Sequence, residues 1–376
     1  MSKLNDIISE IQKKHGKEII GTLEETTREY ARIPFRTPSL SYLFRGGCPR
    51  TIVELIGQPS SGKSTTCYSL CGEAQKVLQQ EYEEEVAKLQ EIAKPNKEEK
   101  ERLAYLLDRG PQKVIYLDHE FTSQPDWMRL NGVDVESLIY IKPNGESAEE
   151  LFQMLLDLAG TGEVGCIVLD SIPAMVSYQA QQKTMEEKTY GGISAPLTVF
   201  CSKFMPLQRK YNILFIGVNV PKQDMSGYNR LITSGGNYWK HTCSVRLLFK
   251  KSDYYGEKYD TLKAHPETAF GHYVEVEVIK NKSCKADRRM CRFSISFDRG
   301  IDSFLDTVNL SVMLGLIVKA GAWFSIIDDD GNLLTDSEGN NMKWQGLKNV
   351  IAYFESHPVE YEELRKKVDE IITAED

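Results

Sequence analysis

The chain has 376 residues, 41% hydrophobic and 27% charged, a length that suits about two domains and a composition that excludes disordered and collagen-like chains. No apolar run approaches the ~18 residues of a membrane span, and the amphipathic start MSKLNDIISEIQKKHGKEII lacks the apolar stretch and cleavage site of a secretory leader. A net charge of −8 argues against an evenly basic, nucleic-acid-binding surface, although a local basic stripe can still hold phosphate because charges act over about 10 Å at moderate salt.

In chain order, Leu4, Ile7, Ile8 and Ile11 fall at helical spacing before a break at Gly16. Ile33–Phe44 reads as strand and turn, punctuated by Pro34 and Pro38. TIVELIG (51–57) is a short apolar run ending on glycine, hence a buried strand, and a helix follows from about Gly62 to Val77. Residues 79–110 repeat Glu and Lys at helical spacing around Lys94-Pro95-Asn96, which predicts a solvated helix pair inserted between core elements. Further strands are expected at 113–119, 138–143, 166–170, 213–219, 244–250, 272–282 and 292–298, with ELFQMLLDLAG (150–160) the clearest intervening helix.

Apolar strands alternating with helices predict an α/β fold with a parallel sheet covered on both faces. The closer spacing of the later strands, and the alternation in HYVEVEVI, predict antiparallel pairing at one edge. From 302 the pattern becomes helices around one turn-rich segment, IIDDDGNLLTDSEGNN, a small separate domain. Cysteines at 48, 67, 71, 166, 201, 243, 284 and 291 form no CxxC pair and read as reduced, buried thiols.

The strongest motif is Gly57-Gln58-Pro59-Ser60-Ser61-Gly62-Lys63-Ser64, a GxxxxGK[ST] loop between a strand and a helix. Its glycines let backbone N–H groups converge on phosphate, and the helix N-terminus adds partial positive charge. Lys63 is expected to reach the β- and γ-phosphates of a nucleotide and Ser64 to ligate Mg²⁺. CIVLD (166–170) runs into Asp170, placed to hold the same Mg²⁺ through water. KVIYLDHE puts Asp118 and Glu120 at another strand end. Side chains two apart share a face, so both can address a γ-phosphate and one can polarise the attacking water; the alternative is an acid capping the next helix.

These residues resemble the RecA-type recombinases of bacteria and phages, from the N-terminal helix through SLSYLFRGGCPRTIVELIGQPSSGKST to the end, interrupted mainly at 79–110. The resemblance implies a P-loop RecA-like core with a mostly parallel central sheet over 34–301, a helix–strand assembly arm over 1–33 and a small α+β C-terminal domain over 302–376, where KAGAWFS (319–325) is close to a family signature. It assigns the nucleotide to Gly57 through Ser64 with Thr65, Asp118, Asp170 and Asn219, gives Glu120 the water-activating role, and stacks the adenine on Trp127 ahead of Gly132-Val133-Asp134. In VIKNK (278–282), Lys280 and Lys282 would reach across a filament interface to a neighbour's ATP.

Two loops, 177–192 and 221–236, are expected to contact DNA through Tyr190, Gly191, Gly192, Lys222, Met225, Arg230, Gly235 and Gly236. Lys343, Lys348 and the basic run 280–292 would help a groove that receives duplex. Implied with these are ATP and Mg²⁺, single- and double-stranded DNA, a homo-oligomeric helical filament, loader or single-strand-binding proteins, and a cytoplasmic location in a bacterium or phage-infected cell. The implied activity is DNA-dependent ATP hydrolysis driving homologous pairing and strand exchange. The other readings are an ATP-switched regulatory protein with weak hydrolysis and a hexameric motor. Departures from the family pattern are Gln124 for an acid beside the adenine, Val220 for a polar γ-phosphate sensor, His241 for an aromatic, and Glu186-Glu187 in the first loop.

Overall fold

A computed structural model describes residues 3–16, 19–21, 30–184, 187, 192–222, 231–262, 266–328, 331–335 and 339–374. The chain forms two compact units, 1–31 and 32–376. In the first, Lys3–His15 is a helix with Asp6 in its first turn and Lys13, Lys14 and His15 in its last, charges that complement the helix dipole. None of its residues is buried, and Leu4 and Ile7 are exposed.

In the second unit, β1 (Arg32–Ile33) pairs antiparallel with β2 (Cys48–Pro49). The main sheet is built from β3 (Ile52–Gly57), β4 (Lys113–Asp118), β5 (Ile139–Ile141), β6 (Val164–Asp170), β7 (Leu214–Asn219), β8 (Val245–Tyr255), β9 (Thr261–Leu262), β10 (Gly271–Asn281), β11 (Met290–Ser296) and β12 (Gly300–Ile301). Its spatial order is β12-β11-β10-β8-β3-β7-β6-β4-β5, with β9 beside β8. From β8 to β5 all neighbours are parallel, while β10, β11 and β12 add an antiparallel edge. This is the sheet the apolar runs and the HYVEVEVI alternation predict.

Two apolar layers cover the sheet's faces. One contains Leu70, Cys71 and Ala74 of the helix Lys63–Gln90. The other contains Leu151 and Leu155 of the helix Ala148–Gly160 with Phe200 and Phe204 of Ser194–Tyr211. All eight cysteines are free, and six are buried.

The helix expected to stop near Val77 runs to Gln90. Burial ends at Leu78, but no glycine or proline intervenes before Pro95, and pairs such as Lys88–Glu84 continue the helix in solvent. A capping box of Asn96 and Glu99 then starts the helix Lys97–Arg109. Arg102 joins Glu85 through two hydrogen bonds of 2.8 and 3.1 Å, closing the charged hairpin.

Residues 302–376 hold helices Ser303–Met313, Leu347–Ser356 and Pro358–Thr373. They also hold an antiparallel sheet, as the expected α+β domain implies: β13 (Ile317–Ala320), β14 (Trp323–Ile326) and β15 (Trp344–Gln345). Their core includes Tyr255 and Tyr273 of β8 and β10. Asp306, fully buried, accepts from the Ser39 N–H (2.9 Å) and Ser39 Oγ (2.6 Å), pinning the helix Ser303–Met313 to Pro38–Leu43. Burial pushes its pKa from 3.8 up to about 7, against the pull of the Ser39 bonds and Arg365.

The folded chain therefore keeps a proton on Asp306 that the unfolded chain releases near pH 4. Stability from this group is greatest at acid pH and falls as pH rises toward 7. Asp306→Asn should flatten that fall. Equilibrium denaturation at pH 5 and 8 measures it, and an unchanged slope in the variant would remove Asp306 as its source.

Candidate nucleotide site

β3 leads a fully buried strand into the loop Gly57–Gly62, and the helix Lys63–Gln90 begins directly behind it. Gly57 has no room for a side chain, since a Cβ would lie 2.7 Å from the Phe249 carbonyl. Gly62 has a φ of 91° and would press a Cβ to 2.9 Å from Ile295 Cδ1. Left-handed geometry and lack of space both demand glycine there.

Lys63 Nζ donates to the carbonyls of Gly57 (2.7 Å) and Gln58 (2.9 Å), so the ammonium lies against the loop. Burial lowers its pKa, opposed by the nearby Asp170 and Glu120. An under-solvated cation beside a helix N-terminus is a strong attractor for phosphate.

Asp170 ends β6 and is 3% exposed. Its Oδ2 accepts from Ser64 Oγ and from the Tyr116 hydroxyl, each at 2.7 Å. Its Oδ1 is buried without a partner, as is Ser61 Oγ. Burial raises the Asp170 pKa, opposed by the Ser64 and Tyr116 bonds. An uncompensated acceptor beside a serine hydroxyl fits a hydrated Mg²⁺, which keeps several waters and takes one or two protein ligands. Among the described residues no group of three or more His, Cys, Asp or Glu could hold a metal, so phosphate and water would complete the ion's shell.

Glu120 is exposed on the turn after β4 and accepts from Ser171 Oγ at 2.7 Å; the Asp170–Ser171 peptide is cis. Asp118, expected to share Glu120's task, does not. Its carboxylate accepts from the N–H groups of Glu120, Phe121 and Ser123 and from the Tyr140 hydroxyl, at 2.7 to 3.0 Å. Burial acts to raise its pKa, but these bonds outweigh it and the net shift is downward. Asp118 organises the turn that carries Glu120 because the strand, and with it the alternation of faces, ends at Asp118.

Trp127 sits on the short helix Pro125–Leu130, half-buried against the core. Its Nε1 donates to Thr65 Oγ1 at 3.3 Å, which brings these two expected nucleotide residues together.

Asn219 differs from expectation. It is fully buried, its amide donates to Glu54 Oε1 (2.7 Å) and the Ser234 carbonyl (2.9 Å), and its Oδ1 accepts from the N–H groups of Val220 and Ser234. With both ends of the amide engaged, it fastens the base of the second loop to the sheet and is not free to bind phosphate. Glu54 also pairs with Arg246, whose Nη2 reaches Thr233 Oγ1 at 3.3 Å. Sequence patterns gave no sign of this buried Glu54–Arg246–Asn219 network, because pairing across β3, β7 and β8 creates it.

Lys280 Nζ donates to the carbonyls of Lys240 (2.7 Å) and His241 (3.0 Å), the last turn of the helix Gly236–Thr242. Lys282 is exposed, and its N–H bonds to the Ser244 carbonyl. Lys280 is level with Arg246 and so with Glu54. Ser244 N–H in turn bonds to the carbonyl of Ile52, the first residue of β3. The P-loop follows the other end of β3, roughly 17 Å away at ~3.3 Å per residue. Both lysines thus lie back along the strands from their own P-loop, Lys282 at the start of β3 and Lys280 level with its middle.

Of the expected DNA contacts, Tyr190, Gly191, Met225 and Arg230 lie outside the described residues. The backbone N–H of Lys222 bonds to the Ile232 carbonyl at 2.8 Å, closing the base of the second loop. Gly235, with a φ of 100°, starts the helix Gly236–Thr242, and Gly236 (φ 76°) packs near Ser194. Both have structural work regardless of DNA. Gly192, with a φ of 46°, has open space around it. The basic run is partly consumed: Arg288 lies over the Tyr42 ring and bonds to the Tyr42 and Ile372 carbonyls. Arg292 lies over Tyr273, and Lys348 pairs with Glu257 at 2.7 Å.

A family model, the RecA N-terminal domain, matches residues 102–302. "Protein RecA" of Thermus aquaticus is 28% identical over 371 residues, 97% of this chain and 93% of that protein. "Protein RecA" of a Picosynechococcus strain is 28% identical, covering 94% and 87%, and that of Gloeobacter violaceus is 26% identical, covering 99% and 86%. The family match takes in more than half of the chain, including Glu120, Asp170, Lys280 and Lys282, and the longer alignments extend it across the P-loop; the chain belongs to the RecA family of recombinases.

Proposed function

We propose that the chain is an ATP-dependent DNA recombinase that assembles with ATP into helical filaments on single-stranded DNA, then pairs that strand with a homologous duplex and exchanges strands. The observation that supports this reading is the separation of the two groups along the strands. Lys63, Ser64, Glu120 and Asp170 lie at or past the C-terminal ends of the parallel strands, whereas Lys280 is level with Glu54 in the middle of β3 and Lys282 is linked through Ser244 to Ile52 at its start. One chain cannot close both groups on one nucleotide, whereas a head-to-tail neighbour can, and such heterologous contacts generate filaments.

Lys63 and the loop N–H groups bind the β- and γ-phosphates, with Trp127 and Thr65 on the base side. Ser64 would ligate Mg²⁺ and Asp170 would hold it through water, and the ion would supply charge neutralisation at the phosphate oxygens. Glu120, steadied by Ser171, aligns the attacking water and accepts its proton. The neighbour's Lys280 and Lys282 neutralise charge developing on the γ-phosphate. Asn219, anchored to Ser234, links β7 to the second DNA loop. The N-terminal helix serves as an assembly arm, its uncovered Leu4 and Ile7 suited to an adjacent copy, and residues 302–376 serve as the C-terminal domain that receives duplex. The setting is bacterial or phage-infected cytoplasm; among the described residues no helix is long and apolar enough to cross a membrane.

A second reading, an ATP switch with weak hydrolysis, draws on Val220 at the sensor position and on Asn219 being fully engaged. Steady-state ATP hydrolysis with and without single-stranded DNA separates the two. The recombinase predicts strong stimulation, with filaments in negative-stain images when a non-hydrolysable ATP analogue is present. DNA-independent turnover would reject it, and closed rings would point to a hexameric motor.

A further inference from the structure

Beneath the site lie three tyrosines whose hydroxyls all point to site elements. Tyr68, on the helix Lys63–Gln90, shares a 2.9 Å hydrogen bond with Ser123. Tyr140 of β5 donates to Asp118, and Tyr116 of β4 donates to Asp170. The rings touch in series, with centroids 5.2 Å apart between Tyr68 and Tyr116 and 6.4 Å between Tyr116 and Tyr140, the latter pair stacked within 11°.

Tyr116 differs from the other two in what it holds. It is fully buried, two residues before Asp118, and the β4–β6 register sets Asp118 opposite Asp170. A phenylalanine would fill the same space in this core. The hydroxyl has a separate duty, because removing it would leave a buried carboxylate oxygen short of a donor. Asp170 receives two hydrogen bonds, and both go to Oδ2. Oδ1 receives none and is shut away from solvent. Two donors converging on one oxygen fix the carboxylate's rotation and leave the other oxygen as its one available acceptor.

The two donors differ in origin. Ser64 belongs to the phosphate loop's own helix and is itself the expected ligand of the ion. Tyr116 comes from a central strand, so its grip on Asp170 does not depend on nucleotide or metal. Groups that hydrogen-bond to direct metal ligands typically contribute 10–100-fold to metal affinity; Tyr116 acts one shell further out, so the lower end of that range applies.

We infer that Tyr116 is a positioning residue for magnesium: its hydroxyl locks Asp170 so that Oδ1 alone serves the ion's hydration shell, and it thereby sets the Mg²⁺ concentration at which the nucleotide site fills. This rests on reading the site as one for a magnesium nucleotide. It concerns a residue that acts through Asp170 and touches neither phosphate nor base.

The test is Tyr116→Phe in the full-length chain, read by titrating Mg²⁺ against binding of a fluorescent, non-hydrolysable ATP analogue and, separately, against ATP hydrolysis. The variant should need about tenfold more Mg²⁺ for half-maximal binding. Its binding of the analogue in chelator should be unchanged, and its hydrolysis should recover at high Mg²⁺. Tyr140→Phe, which takes a hydroxyl from the same stack but frees Asp118, should leave the Mg²⁺ midpoint in place even if turnover falls. Thermal unfolding without nucleotide checks that both variants fold, and a misfolded Tyr116→Phe is replaced by Tyr116→Met. An unchanged or lower Mg²⁺ midpoint in Tyr116→Phe, or an equal rise in Tyr140→Phe, overturns the assignment alone. A wild-type chain whose analogue binding ignores Mg²⁺ removes the underlying reading, and this inference with it.

Discussion

Lys63→Ala should lower DNA-stimulated ATP hydrolysis by about 10²–10³-fold, the usual cost of removing one preorganised group from developing phosphate charge. The lysine is held at the loop by the Gly57 and Gln58 carbonyls, and it is the cation closest in sequence to where the phosphates would lie. Its loss should weaken ATP binding as well, because the helix N-terminus then supplies only partial charge. The fold should survive: the two carbonyls lose donors worth about 1 kcal/mol each, while the buried strand and helix around them stay packed. Steady-state turnover at saturating single-stranded DNA, with an unfolding curve alongside, measures both effects. Wild-type turnover in the variant would take Lys63 out of the site.

Mixing Lys280→Ala with Glu120→Gln should restore hydrolysis that neither variant shows alone. In a head-to-tail filament each nucleotide meets the P-loop face of one chain and the lysine face of the next. The Lys280→Ala chain keeps an intact Glu120, and the Glu120→Gln chain keeps an intact Lys280, so random mixing rebuilds about a quarter of the interfaces completely. Recovery toward that fraction, rising and falling with the mixing ratio, is the expected result. If the mixture hydrolyses no faster than the average of the separate variants, the two residues serve the same chain. Lys280 also caps the helix Gly236–Thr242, so Lys280→Ala frees its last carbonyls. Lys280→Arg, which can bond to the same carbonyls, should retain more activity.

Some of this was legible in residues alone, for identifiable reasons. The phosphate loop declares itself because backbone geometry at Gly57 and Gly62 admits no other residue. The parallel strands show as apolar runs because helices cover both faces, and β10 shows as an alternation because it leaves one face half open. Side chains at the last residue of a strand are harder. Asp118 and Asn219 look like ligands from their positions, yet each turns back to bind its own loop, and no periodicity governs direction there. The length of the helix after the P-loop is not legible because burial ends at Leu78 while the helix continues to Gln90. Tyr116 gave no signal at all, since an aromatic in a buried strand is ordinary until the register brings Asp170 to its hydroxyl.

The helix that starts directly behind the P-loop is 28 residues long, roughly 42 Å at 1.5 Å per residue. Its first half is embedded under the sheet, and its second half stands in water carrying the charged hairpin. An unbroken helix transmits twist and tilt from end to end. A torque applied at the hairpin therefore arrives at Lys63 and Ser64 along a stiff spoke, so the solvent-facing projection is mechanically geared to the P-loop.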